Sequence, residues 1–232
     1  MKRQIIALGG GGFSMEPDNL ALDRYILSQS AKDEPRVCFI PTASGDSADY
    51  IQRFYKAFQL LPCTPSHLSL FEPSFPSLRD FVMEQDVLYV GGGSTRNMLA
   101  LWREWKLDNI LAEAYQNGVI LAGLSAGANC WFEEGLTDPL NGPLYTLNGL
   151  GFLSGSVCPH FDGEAKRRPS YLEAVGEGSM KEGYGVDDYA AMHFVDEELS
   201  RAVSSRKGAA VYKINRQEDG SSEEAIPTAY LN

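Results

Sequence analysis

The run Gly123-Leu124-Ser125-Ala126-Gly127 sets a serine between two glycines at the end of the apolar stretch VILAGL. A strand that breaks directly into a helix holds its turn residue exposed and strained, and small neighbours let the backbone fold back without clashes. A serine in that place can serve as a nucleophile. The N–H of Ala126, at the start of the following helix, points where the oxyanion of a tetrahedral intermediate forms. Because G-x-S-x-G also arises by chance as a plain tight turn, the partners of the serine decide between the two readings.

A serine hydroxyl needs a base, and the chain has three histidines: His67, His160 and His193. His67 lies early in SHLSLF and His193 inside AAMHFV, where a strand histidine is ordinarily a packed or surface residue. His160 follows a proline in VCPHFDG, in a loop at the end of an extended run, where catalytic groups concentrate. It is the expected base. Its second ring nitrogen then needs an acceptor that fixes the tautomer. Asp138, Asp162, Asp187, Asp188 and Asp196 are the carboxylates to weigh. Asp162 is only two residues from His160, which ordinarily turns a side chain elsewhere, and Asp138 precedes a proline and suits the turn TDPLNGP. Asp187 and Asp188 are adjacent, so in extended chain they face opposite sides and one alone can reach the ring. Residue chemistry leaves both open.

The elements that must carry these residues show in the alternation of apolar runs with helix-period stretches. QIIAL precedes GGGGFS and PDNLALDRYILSQS; RVCFI precedes DYIQRFYKAFQLL; SHLSLF reads as a third strand. DVLYV leads through GGGST into RNMLALWREW, and GVILAGL leads into ANCWFEE. Buried runs between helices predict an α/β fold, a mostly parallel sheet flanked by helices on both faces. After about residue 135 the chain is rich in glycine and proline. A helix over RRPSYLEAVGEG follows, with Pro169 near its first turn. YAAMHFVD, RAVSS and AAVYKI then read as an antiparallel C-terminal extension. Neither a repeat nor a linker divides the chain, so 1–232 reads as a single domain.

Two glycine loops, at 9–12 and 91–93, follow strands, where helix-starting N–H groups bind ligands in α/β sheets. Neither is a dinucleotide fingerprint: Ser14 stands at the third glycine of the first, Arg96 at that of the second, and a Walker loop is absent. The net charge of −11 argues against nucleic acid or an anionic membrane as partner. No apolar stretch reaches the roughly 20 residues of a membrane span. The start MKRQIIALGGGG is too short in its apolar run for a signal peptide. Cys38, Cys63, Cys130 and Cys158 are scattered, so they read as reduced interior thiols of a cytoplasmic protein. With scattered histidines and cysteines the sequence implies no metal and no cofactor.

In that order, YVGGGST, GLSAGANC, CPHFD and GVDDYAAM resemble the motifs of the peptidase E family of serine peptidases, to which cyanophycinases are related. The likeness runs from the first strand to about residue 195. The family is similar to class I glutamine amidotransferases, with serine replacing cysteine at the elbow. The resemblance implies that Ser125 is the nucleophile, His160 the base and Asp188 the carboxylate of a triad. It also implies oxyanion N–H groups from Gly92 or Gly93 beside that of Ala126. There are departures: the best-studied branch has tryptophan where Leu124 stands, asparagine where Ser94 stands, and a longer segment between histidine and acid. That branch removes N-terminal aspartate from short peptides.

The expected function is therefore a serine peptidase acting on short peptides through an acyl-enzyme, as a monomer or homodimer. The alternatives are a cyanophycinase-like hydrolase of β-aspartyl amides and a catalytically silent anion-binding module. For an acidic substrate the candidate cations are Arg167 and Arg168, shortly past the base, and Arg96 behind the second glycine loop.

Overall fold

The computed structural model describes residues 2–138 and 143–231. Its first half runs β1 (Gln4–Leu8), α1 (Gly12–Met15), α2 (Ala21–Leu27), β2 (Arg36–Ile40), α3 (Ala48–Phe58), β3 (Thr64–His67), α4 (Leu78–Met83), β4 (Val87–Val90), α5 (Thr95–Trp105), α6 (Leu107–Gln116), β5 (Ile120–Leu124) and α7 (Ala126–Asn129). The second half adds β6 (Phe132–Thr137), β7 (Tyr145–Asn148), β8 (Leu153–Cys158), α8 (Arg167–Glu177), β9 (Gly183–Val186), β10 (Ala190–Val195), β11 (Glu198–Ser204), β12 (Val211–Gln217), β13 (Gly220–Ile226) and β14 (Thr228–Tyr230).

Eight strands form one sheet in the order β14-β11-β10-β1-β5-β4-β2-β3. From β1 to β3 all neighbours are parallel, while β10 pairs antiparallel with β1. The period-2 alternation of β1 explains why this sheet is buried on both sides. Ile5 and Ala7 face Met98, Leu99, Trp102 and Leu111 of α5 and α6; Ile6 and Leu8 face Leu22, Tyr50, Phe54 and Phe58 of α2 and α3. Each fully buried side chain of this kind contributes about 1.5–3 kcal/mol. Among the described residues no helix is long and apolar enough to cross a membrane.

The α/β architecture with helices on both faces of a mostly parallel sheet is as expected, but the C-terminal half is richer. A second sheet of six strands, β13-β12-β9-β8-β6-β7, is partly parallel, with β8 beside β6 and β9. Its inward residues Phe132, Leu153, Val157 and Val186 share the core of α5 and α6. The segment gives little strand signal because β7 is only half buried and Gly155, with φ 81°, interrupts β8. Three boundaries also differ. The helix expected over ANCWFEE stops at Asn129, because Phe132 begins a strand. The third strand is Thr64–His67, earlier than SHLSLF. Between Trp105 and Ile120 lies α6, split from α5 by Lys106 at φ 59°, a break that no glycine or proline marks.

Beneath the first glycine loop Asp23 is fully buried. Its oxygens face the Tyr89 hydroxyl and the Phe13 N–H, yet neither contact closes to a full hydrogen bond. Burial is the main cause that pushes this carboxyl up to about 7. The folded state thus keeps a proton that the unfolded chain loses near pH 4, so stability falls as pH rises from about 4 to about 7. Asp23→Asn mimics the protonated form and should remove that decline. Urea midpoints at pH 5 and pH 8 test this: the variant is expected to gain on the order of 3 kcal/mol relative to wild type between the two. An equal pH response in both proteins would refute it.

Candidate active site

Parallel strands deliver loops to one edge, and the chemistry-bearing residues sit where such strands stop. β5 ends at Leu124, and Ser125 follows at φ 55° and ψ −110°, a conformation L-residues rarely hold. Any Cβ at Gly123 would run into the Gly127 carbonyl, and one at Gly127 into the Val90 carbonyl, which is why the elbow needs glycine on both sides. The Ser125 N–H donates to the Leu8 carbonyl at 3.1 Å, so β1 carries the elbow. The Ser125 side chain makes no capping bond to α7. With α7 beginning at Ala126, the N–H of Ala126 is one of the orphan donors of a helix start.

Two adjacent strands of the second sheet bring the other groups. β8 and β9 lie parallel with Cys158 opposite Gly185. His160 comes two residues after the end of β8 and Asp188 two residues after the end of β9. They meet: His160 Nδ1 lies 2.6 Å from Asp188 Oδ1, with the two side chains 15% and 13% exposed. His160 has φ 53°, and the following Phe161 N–H donates to the Val186 carbonyl at 3.1 Å, which holds this turn against β9. The Asp188 N–H donates to Asp162 Oδ1 at 2.8 Å, so Asp162 shapes the turn at Asp188. Gly10 ties the pair to the first sheet through a bridge to Asp188. A Cβ there would collide with Asp188 Oδ1 and lie 3.1 Å from His160 Cε1. The end of β1 thus touches the elbow at Leu8 and the His160–Asp188 pair at Gly10.

Asp187 faces the other way. Its Oδ2 accepts the Ala210 N–H at 3.0 Å, and its Oδ1 is buried without a partner among the described residues. Burial first, then the neighbouring Asp162 and Asp188, pushes its carboxyl up to about 6. Asp138 accepts from Arg167 Nη2 at 3.0 Å; the turn it opens, at 139–142, lies outside the described residues. Asp196 caps the other end of β10, paired with Arg3. His193 is held by Tyr25 and Gln4, and burial pushes it down to about 4; His67 bonds Tyr55.

Three expectations need correction. Arg167 is buried, and its guanidinium is taken by Glu164, Asp138 and the Leu136 carbonyl, so it pins α8 to β6 rather than meeting a ligand. Arg168 pairs with Glu223 and lies over the rings of Phe161 and Tyr212, clasping α8 to β12 and β13. Of these three arginines Arg96 alone, exposed in the first turn of α5, makes no ion pair or hydrogen bond among the described residues. The third concerns Gly92, whose N–H donates to Tyr50 Oη at 3.2 Å and is not open to an oxyanion. Sequence reasoning also missed Glu16, a buried carboxylate that accepts from Ser205 and Arg206. Arg206 lies 3.6 Å over the Tyr189 ring, next to Asp188 in the chain. Its signal is absent because the partners are about 190 residues away.

The model of peptidase family S51 matches residues 5–202. The chain is 60% identical over 229 residues to the uncharacterized peptidase YgaJ of Bacillus subtilis (strain 168), covering 99% of each. The fold is similar to the crystal structure of a peptidase from an acI-B1 Actinobacterium, with a TM-score of 0.69, 18% identity and 96% of each chain covered. It is also similar to that of a candidate peptidase E protein of Listeria monocytogenes EGD-e, with a TM-score of 0.64 and 17% identity over 98% of this chain and 100% of the other.

Proposed function

Since the chain belongs to peptidase family S51 and is a serine-type peptidase, we propose that Ser125, His160 and Asp188 form its catalytic triad, acting on short peptides. The observation that carries this reading is the His160–Asp188 contact at 2.6 Å, on the same end of β1 that supports the Ser125 elbow. His160, held by Asp188 in the tautomer with Nδ1 protonated, takes the Ser125 proton on Nε2 as Oγ attacks the scissile carbonyl. The Ala126 N–H and the loop at 91–93 hold the oxyanion. His160 then protonates the leaving amine, and a water that it activates hydrolyses the acyl-enzyme. The four cysteines are free thiols, which suits a reducing, cytoplasmic setting.

A fluorophosphonate probe read by mass spectrometry tests the nucleophile, and a peptide-library digest reads the substrate class. Release of N-terminal aspartate is the expected activity, and cleavage of β-aspartyl amides instead would move the protein to the cyanophycinase-like reading. Arg96 is the cation left for an acidic side chain. Arg96→Ala should cost about 2–5 kcal/mol of transition-state binding with Asp-X peptides and far less with neutral ones. An equal loss on both substrates would remove Arg96 from the specificity site.

A further inference from the structure

The loop at 91–93 is clamped at almost every amide. The Gly91 N–H donates to the Ile40 carbonyl at 3.1 Å and the Ser94 N–H to the Ala43 carbonyl at 2.8 Å. Between them the Gly92 N–H donates to Tyr50 Oη at 3.2 Å. That leaves the Gly93 N–H, on an exposed residue, as the one amide of this run without a partner among the described residues. The loop stands directly against the elbow, since a Cβ built at Gly92 would lie 3.4 Å from Ser125 Cβ.

Tyr50 is placed for this contact from three sides. It sits in the first turn of α3, 5% exposed, with its ring against Phe13 and Phe39 at centroid distances of 5.6 and 5.0 Å. Its ring edge backs Gly91, whose built Cβ would come within 3.0 Å of Cε1. The Arg53 guanidinium covers the ring at 4.7 Å and donates to the Ser14 carbonyl at 3.0 Å. Tyr50 therefore joins the loop at 91–93 to α1.

Resting on the serine-nucleophile reading above, we infer that Tyr50 is a positioning residue for oxyanion binding: its hydroxyl takes the Gly92 N–H and so turns the loop to offer the Gly93 N–H to the Ser125 site. Tyr50 touches no reacting atom. The Gly93 N–H lies in the planar peptide between Gly92 and Gly93. With the Gly92 N–H held by Tyr50 on one side and the Ser94 N–H by the Ala43 carbonyl on the other, the φ and ψ rotations that would turn that plane are restricted. Preorganised donors are effective because they need no reorganisation as charge develops, and a displacement of about 1 Å can cost about 10²-fold.

Tyr50→Phe tests this, because it keeps the ring and deletes only the hydroxyl that accepts the Gly92 N–H. The probe is a fluorophosphonate, whose phosphoryl oxygen occupies the oxyanion position as Ser125 attacks. The variant is expected to label about ten- to a hundredfold more slowly, wholly in the maximal rate, with the half-saturating probe concentration changed less than twofold. In ¹⁵N-labelled protein, amide exchange of Gly92 should accelerate while that of Gly91 and Ser94 stays slow. A merely structural role predicts instead a lowered melting temperature and general acceleration of exchange, with the labelling rate of the folded fraction intact. That result, or wild-type labelling by a variant whose Gly92 amide exchanges faster, would overturn the inference. If wild-type Ser125 takes no label at all, the nucleophile reading fails and takes this inference with it. Normal wild-type labelling beside an unimpaired variant defeats the inference alone.

Discussion

Ser125→Ala is expected to lower kcat by on the order of 10⁶ while the protein stays folded. The large effect follows from chemistry, since alanine keeps the Cβ and loses only the attacking oxygen. The small structural effect follows from the contacts. The elbow is held by backbone, through the Ser125 N–H on the Leu8 carbonyl and the amides of Ala128 and Asn129 on the Ser125 carbonyl. The side chain makes no capping bond that the substitution could break. Residual hydrolysis above the uncatalysed rate would come from the oxyanion donors and bound substrate. Steady-state turnover of a short peptide, with circular dichroism as the folding control, checks both halves. Activity near wild type in a folded variant would remove Ser125 from the reaction.

The second large effect falls on the adjacent aspartates. Asp188→Asn should lower kcat by up to about 10⁴, and Asp187→Asn less than tenfold. Asparagine at 188 can still approach His160 Nδ1, but it can present its amide N–H₂ there and favour the wrong tautomer, and it cannot stabilise the imidazolium. Asp187 accepts the Ala210 N–H and touches no histidine. Its carboxyl is pushed up to about 6, so asparagine resembles a form that it already populates in mildly acidic solution. Burial and the carboxylates of Asp162 and Asp188 make its ionised form the costly one, and stability contributed by its proton is lost as pH rises from about 4 to about 6. The two variants, measured side by side at pH 7.5, give the ordering. A greater loss at Asp187 would transfer the role to it, and no loss at either would leave a Ser-His dyad.

What the sequence disclosed, and what it withheld, follows from the range of the forces involved. The elbow is legible because its glycines answer a local steric demand within five consecutive residues. His160 stands out as a loop histidine among three. Asp188 over Asp187 needed a family likeness, because strand alternation says that the two diverge without saying which one turns inward. The arginines misled because charge is visible in a sequence and burial is not. Arg167 and Arg168 find their carboxylates and rings by tertiary packing. Tyr50 was hidden for the opposite reason: on an amphipathic helix an aromatic residue reads as core, and its hydroxyl matters only because a distant loop passes over it. The second sheet was partly hidden because β7, β12 and β13 are mostly half-buried or exposed and Gly155 interrupts β8.

The position of β1 has a consequence for the order in which the protein comes to life on the ribosome. β1 is made long before β10, yet one of its edges waits for that strand, whose residues pair with Gln4–Leu8 across most of the chain. Until then that edge is an open template for association with other nascent chains. Contacts of such separation in sequence also form slowly, because loop closure must precede their reward. The half that carries Ser125, β1 with β5 and β4, can assemble early. Asp188 arrives immediately ahead of β10, so it docks together with the strand that seals the edge. On the triad proposed above, hydrolytic competence and completion of the sheet are one event, and the half-made chain carries a serine elbow that cannot yet cut.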